Sequence, residues 1–262
     1  MSLTAAIIFN LLQVSVSRVL ADPIHLSQEW RRIELPTYYI ENSQIIEYKG
    51  YTVSYDETSR LPRWVAYELT AEEADAKIAQ RKGKSFRPDG NVQAVQAVQT
   101  DYRESGWSHG HMAPAGDFKW NEEAMWETFF YTNCCPQDER LNNGSWNVLE
   151  NHVRAWAKKF GSVYVVTGPI IGKNRFGTIG KHRIVVPDAF FKSLLVKTAE
   201  GYQGIAFIMQ NNPDSQRPED CLMSINDLEK LTGIDFFPML DDSIEENVEE
   251  EIQPRFWGLL SR

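Results

Sequence analysis

Two histidines two residues apart, in Trp107-Ser108-His109-Gly110-His111-Met112-Ala113-Pro114-Ala115, are the first residues of this chain whose type and spacing suggest chemistry. Imidazole is the side chain whose ordinary pKa suits proton transfer near neutral pH, and Gly and Pro give the loop a defined geometry. A His-x-His pair is equally compatible with a surface pair without a role, or with a metal pair. A second stretch, Asn133-Cys134-Cys135-Pro136-Gln137, follows an apolar run ending at Thr132; Asn133 and Gln137 read as amides that fix a loop by bonding to backbone at a strand exit. The third is Leu141 to Arg154 (LNNGSWNVLENHVR). On a straight helix Asn142, Glu150 and Arg154 fall at about 0°, 80° and 120° and share a face. Eight residues put Asn142 and Glu150 about 12 Å apart along the axis, too far for both to ligate one ion. Asn142 as a metal ligand, with Glu150 accepting a hydrogen bond from a water on that metal, spans the gap. Mg²⁺ keeps most of its waters and tolerates one protein ligand plus substrate phosphate oxygens. The competing reading of Glu150 and Arg154 is an i, i+4 surface pair worth a few tenths of a kcal/mol.

These residues need elements to position them. Gly50 to Tyr55 and Trp64 to Leu69 are β-branched and aromatic runs flanking a polar turn from Asp56 to Arg63, which predicts a hairpin. Ala71 to Gln80 is helix-permissive, and Arg81 to Asn91 (RKGKSFRPDGN) is a basic loop. Phe129 to Thr132, Val163 to Thr167, Arg183 to Val186, Ser193 to Val196 and Gly204 to Met209 read as strands. Trp146, Leu149, Val153, Trp156 and Phe160 mark one apolar face of a helix of about four turns. A last helix from Ser224 to Leu231 is closed by Gly233. The whole predicts one mixed α+β domain, a sheet with a long amphipathic helix over it.

With 262 residues, 42% hydrophobic and 24% charged, the chain can bury a core without staples, and collagen-like, disordered and multi-span membrane classes are excluded. The net charge of −9 argues at face value against a nucleic-acid partner. Seven acids and no base lie between Asp241 and Glu251, however, so the remaining 251 residues carry only −2. That run reads as a mobile tail or surface helix. Lys77 to His111 holds six bases against three acids. Cys134, Cys135 and Cys221 imply no disulfide framework and no zinc site. The apolar-rich segment Ala5 to Leu20 is a cleaved signal, a targeting or anchor segment, or an ordinary helix.

The segment from Asp101 to Pro169, read as DYRESGWSHGHMAPAG, TFFYTNCCPQ, LNNGSWNVLENHVR and VYVVTGP, closely resembles the DNA/RNA non-specific endonucleases of the ββα-metal (His-Me finger) class, nearest to the endonuclease G and exonuclease-G-like branch. Trp64 to Tyr67, Phe86 to Asp89 and Asp227 to Gly233 extend the likeness over roughly 45–240. The resemblance implies a mostly antiparallel central sheet flanked by helices. With the apolar N-terminal run and the acidic run, it divides the chain into a candidate signal or targeting segment (1–25), the nuclease domain (40–240) and an acidic C-terminal tail (241–262). It makes His111 the general base, Asn142 the metal ligand, Glu150 the group that orders metal-bound water, Arg154 and Arg81 the phosphate contacts, with Lys82 and Lys84 competing for the Arg81 role, and Asn133 the support of the active-site loop. The D-R-G-H motif of the family reads Ser108-His109-Gly110-His111, so His109 stands where the family has a phosphate-side Arg, and reduced activity or an altered pH dependence follows.

What the resemblance implies functionally is a Mg²⁺-dependent endonuclease, with Mn²⁺ as a substitute, that cuts DNA and RNA to 5′-phosphate and 3′-hydroxyl ends. It implies a candidate homodimer, while the N-terminal segment suggests a secreted or periplasmic location, with mitochondrial or cytoplasmic alternatives, and no membrane partner after processing. The competing readings are a non-catalytic nucleic-acid-binding module disabled at Ser108-His109, and a phosphodiesterase or exonuclease that spares closed circular DNA.

Overall fold

Runs of apolar residues build the centre of the molecule, because successive side chains point to opposite faces of a sheet that is covered on both sides. In the computed structural model, which describes residues 32–37 and 43–259, seven strands form one antiparallel sheet in the order β1-β2-β3-β6-β9-β10-β11. They are β1 (Ser43–Glu47), β2 (Thr52–Asp56), β3 (Leu61–Thr70), β6 (Ser162–Ile170), β9 (Ala189–Thr198), β10 (Gly201–Gln210) and β11 (Leu222–Met223). Val65, Tyr67 and Leu69 of β3 with Phe190, Leu194 and Val196 of β9 face one core; Trp64, Ala66, Phe191 and Leu195 face the other. The first core is closed by the small sheet β4 (Ser108–His111) and β5 (Cys134–Gln137), and by the helix α5 (Asn147–Phe160). The second is closed by α6 (Ile225–Thr232) and α7 (Asp242–Glu250). The remaining short helices are α1 (Ala71–Asp75), α2 (Gln99–Tyr102), α3 (Glu122–Glu127) and α4 (Glu139–Leu141), and β7 (Thr178–Ile179) pairs with β8 (Ile184–Val185). The expected α+β architecture, a central antiparallel sheet flanked by helices with a β4-β5-α5 unit on one face, is therefore present.

Several local expectations shift for identifiable reasons. The β2–β3 turn is tighter than Asp56–Arg63: the Asp56 carboxylate accepts from Thr58 N (2.9 Å) and Ser59 Oγ (2.7 Å), and β3 begins at Leu61. Helix α1 ends at Asp75, well short of Gln80, although Thr70 and Glu73 cap its start reciprocally. Phe129–Thr132 is not a central strand. It ends in a 3₁₀ turn, Tyr131–Asn133, and its backbone bonds Arg87 across a single bridge, with Arg87 N donating to Phe129 O and Tyr131 N to Arg87 O, both at 3.0 Å. Arg183–Val186 falls in the two-residue β8 of a separate hairpin, not in the main sheet. Leu149, Val153 and Trp156 bury the expected face of α5, and Gly161 at φ 93° ends it.

The segment 241–251, read as a mobile tail or surface helix, forms α7, whose Val248 is buried beside β10. The chain beyond it returns to the first core, where Trp257 is 2% exposed and its carbonyl accepts from Trp156 Nε1 at 2.8 Å. The candidate signal or targeting segment, 1–25, lies outside the described residues. Among the described residues no helix is long and apolar enough to cross a membrane.

Candidate active site

Strand β4 carries both histidines on one side, as residues two apart on a strand must be. Its register with β5 places His109 opposite Pro136 and His111 opposite Cys134. Between them Gly110 has no room for a side chain, since a Cβ there would lie 2.7 Å from the Cβ of Gln137. Ser108 Oγ donates to Gln137 O at 2.8 Å. The Gln137 amide, expected to fix the loop, has no hydrogen-bond partner among the described residues; it acts here through bulk and backbone. The Asn133 amide is the loop's anchor. Wholly buried at the end of the 3₁₀ turn that leads into β5, and not at a strand exit, it accepts from Ala113 N (2.8 Å) and donates to Ala113 O and Thr128 O (both 2.9 Å).

Aromatic rings wall the two imidazoles. His109 is stacked on Tyr102 (centroids 4.0 Å apart) and on Phe86 (5.0 Å), while His111 packs on Phe86 (4.5 Å) and against Phe129 (5.0 Å). Burial pushes His109 down to about 4 and His111 down to about 3, with the Arg81 charge adding to the effect on His111. Both rings are therefore neutral at physiological pH, and Nε2 of each is buried without a hydrogen-bond partner among the described residues.

Asn142 and Glu150 come from the chain that enters α5, but not from a straight helix. Residues Asn142–Trp146 form a π-turn in which Gly144 departs from helical geometry (φ −106°, ψ −107°), so the expected common face holds for Glu150 and Arg154 only. Asn142 is aimed by a different device: its Nδ2 donates to Ser108 Oγ (3.1 Å) and His109 O (3.3 Å), which orients the amide against β4. Its Oδ1 accepts no hydrogen bond from a described residue. An oriented amide oxygen is a donor that suits a hard cation such as Mg²⁺.

Arg154 does not pair with Glu150. Its Nη1 donates to the buried Asp117 carboxylate at 2.6 Å and its Nη2 to Asn151 Oδ1 at 2.9 Å, and Tyr67 Oη donates to the other Asp117 oxygen at 2.8 Å. Arg81 is exposed, with its guanidinium 5.8 Å from the centre of the Phe129 ring that His111 also touches, and its charge acts on both His111 and Glu150. Of its competitors, Lys84 is tied to Glu122 (2.9 Å) and Gln80 O (2.6 Å).

One charged residue of this neighbourhood was not anticipated. Lys192 occupies the inward position of β9 between Phe190 and Leu194, wholly buried, with Nζ 4.7 Å from the Trp146 ring centre and without a hydrogen-bond partner among the described residues. Burial lowers its pKa and raises that of Glu150, and each charge partly sustains the other. The signal was available: a lysine on the apolar side of an alternating strand, one residue before the run Ser193–Val196.

Together, a neutral imidazole with a free nitrogen can take a proton from water, the Asn142 amide oxygen can ligate a hard cation, and the guanidinium groups can hold phosphate. The sequence profile of the DNA/RNA non-specific endonuclease family matches residues 32–243. The chain is 38% identical over 211 residues to the mitochondrial nuclease EXOG of Xenopus laevis, covering 74% of this chain and 58% of the relative, so it spans about three-fifths of that protein's length. It is 34% identical over 209 residues to human mitochondrial endonuclease G, covering 75% of this chain and 70% of the relative. A crystal structure of endonuclease G bound to its inhibitor EndoGI superposes with a TM-score of 0.72 at 29% identity, covering 76% of this chain and 88% of that one. The chain belongs to the DNA/RNA non-specific endonuclease family.

Proposed function

We propose that this chain is a metal-dependent endonuclease that hydrolyses phosphodiester bonds of DNA and RNA without reading base sequence, leaving 5′-phosphate and 3′-hydroxyl ends. The observation that carries the reading is the neutral His111 imidazole, its Nε2 free, sharing the Phe129 ring with the Arg81 guanidinium. His111 accepts the proton of the attacking water. Arg81 holds the phosphate from the solvent side, and Arg154, braced by Asp117, holds it from the helix side. Asn133 keeps the loop after β4 in place. Asn142 would hold Mg²⁺, or Mn²⁺ in its stead, with Glu150 in the outer sphere, and the ion would supply neutralisation of charge building on the scissile phosphate. Phosphate and metal ligands of this kind address no base edge, which supports sequence independence. The names of the Xenopus laevis and human relatives support a mitochondrial compartment in place of the secreted or periplasmic one that the N-terminal segment suggested.

Closed circular plasmid tests the reading: nicking with Mg²⁺, abolished by EDTA, is the expected result, and intact plasmid refutes endonuclease activity. His111→Ala is expected to lose cleavage by roughly 10²-fold to 10⁴-fold, the usual worth of a general base, while nucleic-acid binding survives. A fully active His111→Ala enzyme overturns the assignment.

A further inference from the structure

The hairpin of β7 and β8 has a composition that the site described above does not use. From Ile171 to Pro187 the chain holds Lys173, Arg175, Lys181, His182 and Arg183 and no Asp or Glu. Lys173, Lys181 and Arg183 are exposed, and none of their side chains has an ion pair or hydrogen-bond acceptor among the described residues. Arg175 is the exception, reaching Asp188 (3.4 Å) and Gln210 (3.1 Å). The other nearby acid, Asp101, is buried and committed: it accepts from His182 N at 3.1 Å and pairs with His182 Nδ1 at 2.8 Å. The positive charge of Lys173, Lys181 and Arg183 thus has no ion-pair partner among the described residues, and cations gathered on one hairpin repel one another unless an anion answers them.

The hairpin is also fixed relative to β4. Ile179 and Ile184 are buried in the core, Gly180 lies so close to Asp101 that a side chain there would collide, and Phe176 meets the edge of Trp107 at 5.2 Å. Trp107 directly precedes β4, whose far end carries His111. Trp107 and His111 are four residues apart, about 13 Å along an extended strand, which corresponds to about four phosphates at an axial advance of about 3.4 Å each in one strand of a duplex.

We propose that the Lys173–Arg183 hairpin is a second, non-catalytic contact for the phosphate backbone of the nucleic-acid substrate. The inference rests on the nuclease reading above for the identity of its ligand. The contact makes binding depend on substrate length: duplexes reaching past the cut site by more than about four nucleotides gain it and shorter ones do not.

The test is binding of a fluorescent 30-base-pair duplex and of a tetranucleotide by the full chain. Both proteins compared carry His111→Ala, and one adds Lys173→Ser, Lys181→Ser and Arg183→Ser. Affinity is measured from 50 to 200 mM salt. For the duplex the slope of log affinity against log salt is expected to fall by about three, with roughly tenfold or greater loss of affinity at 50 mM, and the tetranucleotide is expected to bind unchanged. An unchanged duplex slope, or an equal loss on the tetranucleotide, overturns the proposal. Should the triple variant lose its native circular dichroism, Lys181→Glu alone decides, with a slope reduction of about one or more expected and none overturning it. Plasmid nicking by the unmodified protein is read in parallel: its absence overturns the nuclease reading, while the duplex slope still judges the hairpin.

Discussion

At the scale of single residues, the site is governed by what burial does to charge. His109 is where the family's motif carries Arg, and its stack on Tyr102 and Phe86 explains how a different side chain is accommodated there. Desolvation pushes it down to about 4, so this position contributes no positive charge at neutral pH. Restoring the guanidinium with His109→Arg keeps the stacking and adds a permanent cation, so KM for DNA is expected to fall several-fold, read from steady-state kinetics between pH 6 and 8. An unchanged KM and pH profile would remove position 109 from the phosphate contacts. Lys192 carries the opposite lesson, that a buried ammonium without a hydrogen bond is costly and persists only where its charge is useful. In Lys192→Met the Glu150 carboxylate loses a positive neighbour, so its pKa rises further. The acid limb of kcat/KM is then expected to move to higher pH, while Lys192→Arg leaves it near its original position. A merely structural role predicts a lower Tm in both variants and an unmoved limb.

At the scale of elements, periodicity made α5 and the inner strands legible, and chemistry between elements did not announce itself. The recurrence from Trp146 to Trp156 located α5 because packing enforces that spacing. The same arithmetic misplaced Asn142, because the π-turn around Gly144 interrupts the helix, and no periodic signal marks such an interruption in advance. Phe129–Thr132 looked like a strand by composition, yet tertiary hydrogen bonds from Asn133 and Arg87 drew it into a turn. The competing reading of Arg154 as a partner of Glu150 arises because i, i+4 neighbours are the pairs a helix shows in sequence. Its real partner, Asp117, is 37 residues away and became visible only when the loop after β4 folded over α5. That pair sets an expectation for the element. Asp117→Ala leaves the Arg154 guanidinium, 17% exposed, and the Tyr67 hydroxyl without their acceptor, at a cost of about 3–5 kcal/mol in urea unfolding. A loss below about 1 kcal/mol would show that α5 is held to the loop by its apolar face alone.

For the whole molecule, the fold segregates the charge that the composition averages. Residues 241–251 hold seven acids and lie against the second core, across the sheet from β4, β5 and the entry to α5, while Arg81, Arg154 and the β7–β8 hairpin serve the first. A net charge of −9 is then compatible with an anionic substrate, because the substrate meets only one face. The segregation has a stability consequence on the acidic side. Glu229, Asp235 and Glu249 bring carboxylate oxygens within 4.8 Å of one another. Burial, followed by the neighbouring carboxylates, raises the pKa of Glu249, and the same causes push Glu245 up to about 7. A carboxyl whose folded pKa exceeds its unfolded value binds its proton more tightly when folded. The stabilisation is therefore greatest below the unfolded value near 4.5 and is lost as pH rises through the folded one. Glu249→Gln removes that sensitivity at one member of the cluster. Its Tm is expected to exceed that of the unmodified protein at pH 8 by a few degrees, solvent screening keeping the gain modest, and to match it at pH 5. An equal gain at both pH values would assign the effect to packing of α7, and no gain at pH 8 would show that the like charges between α6 and α7 are already relieved by solvent.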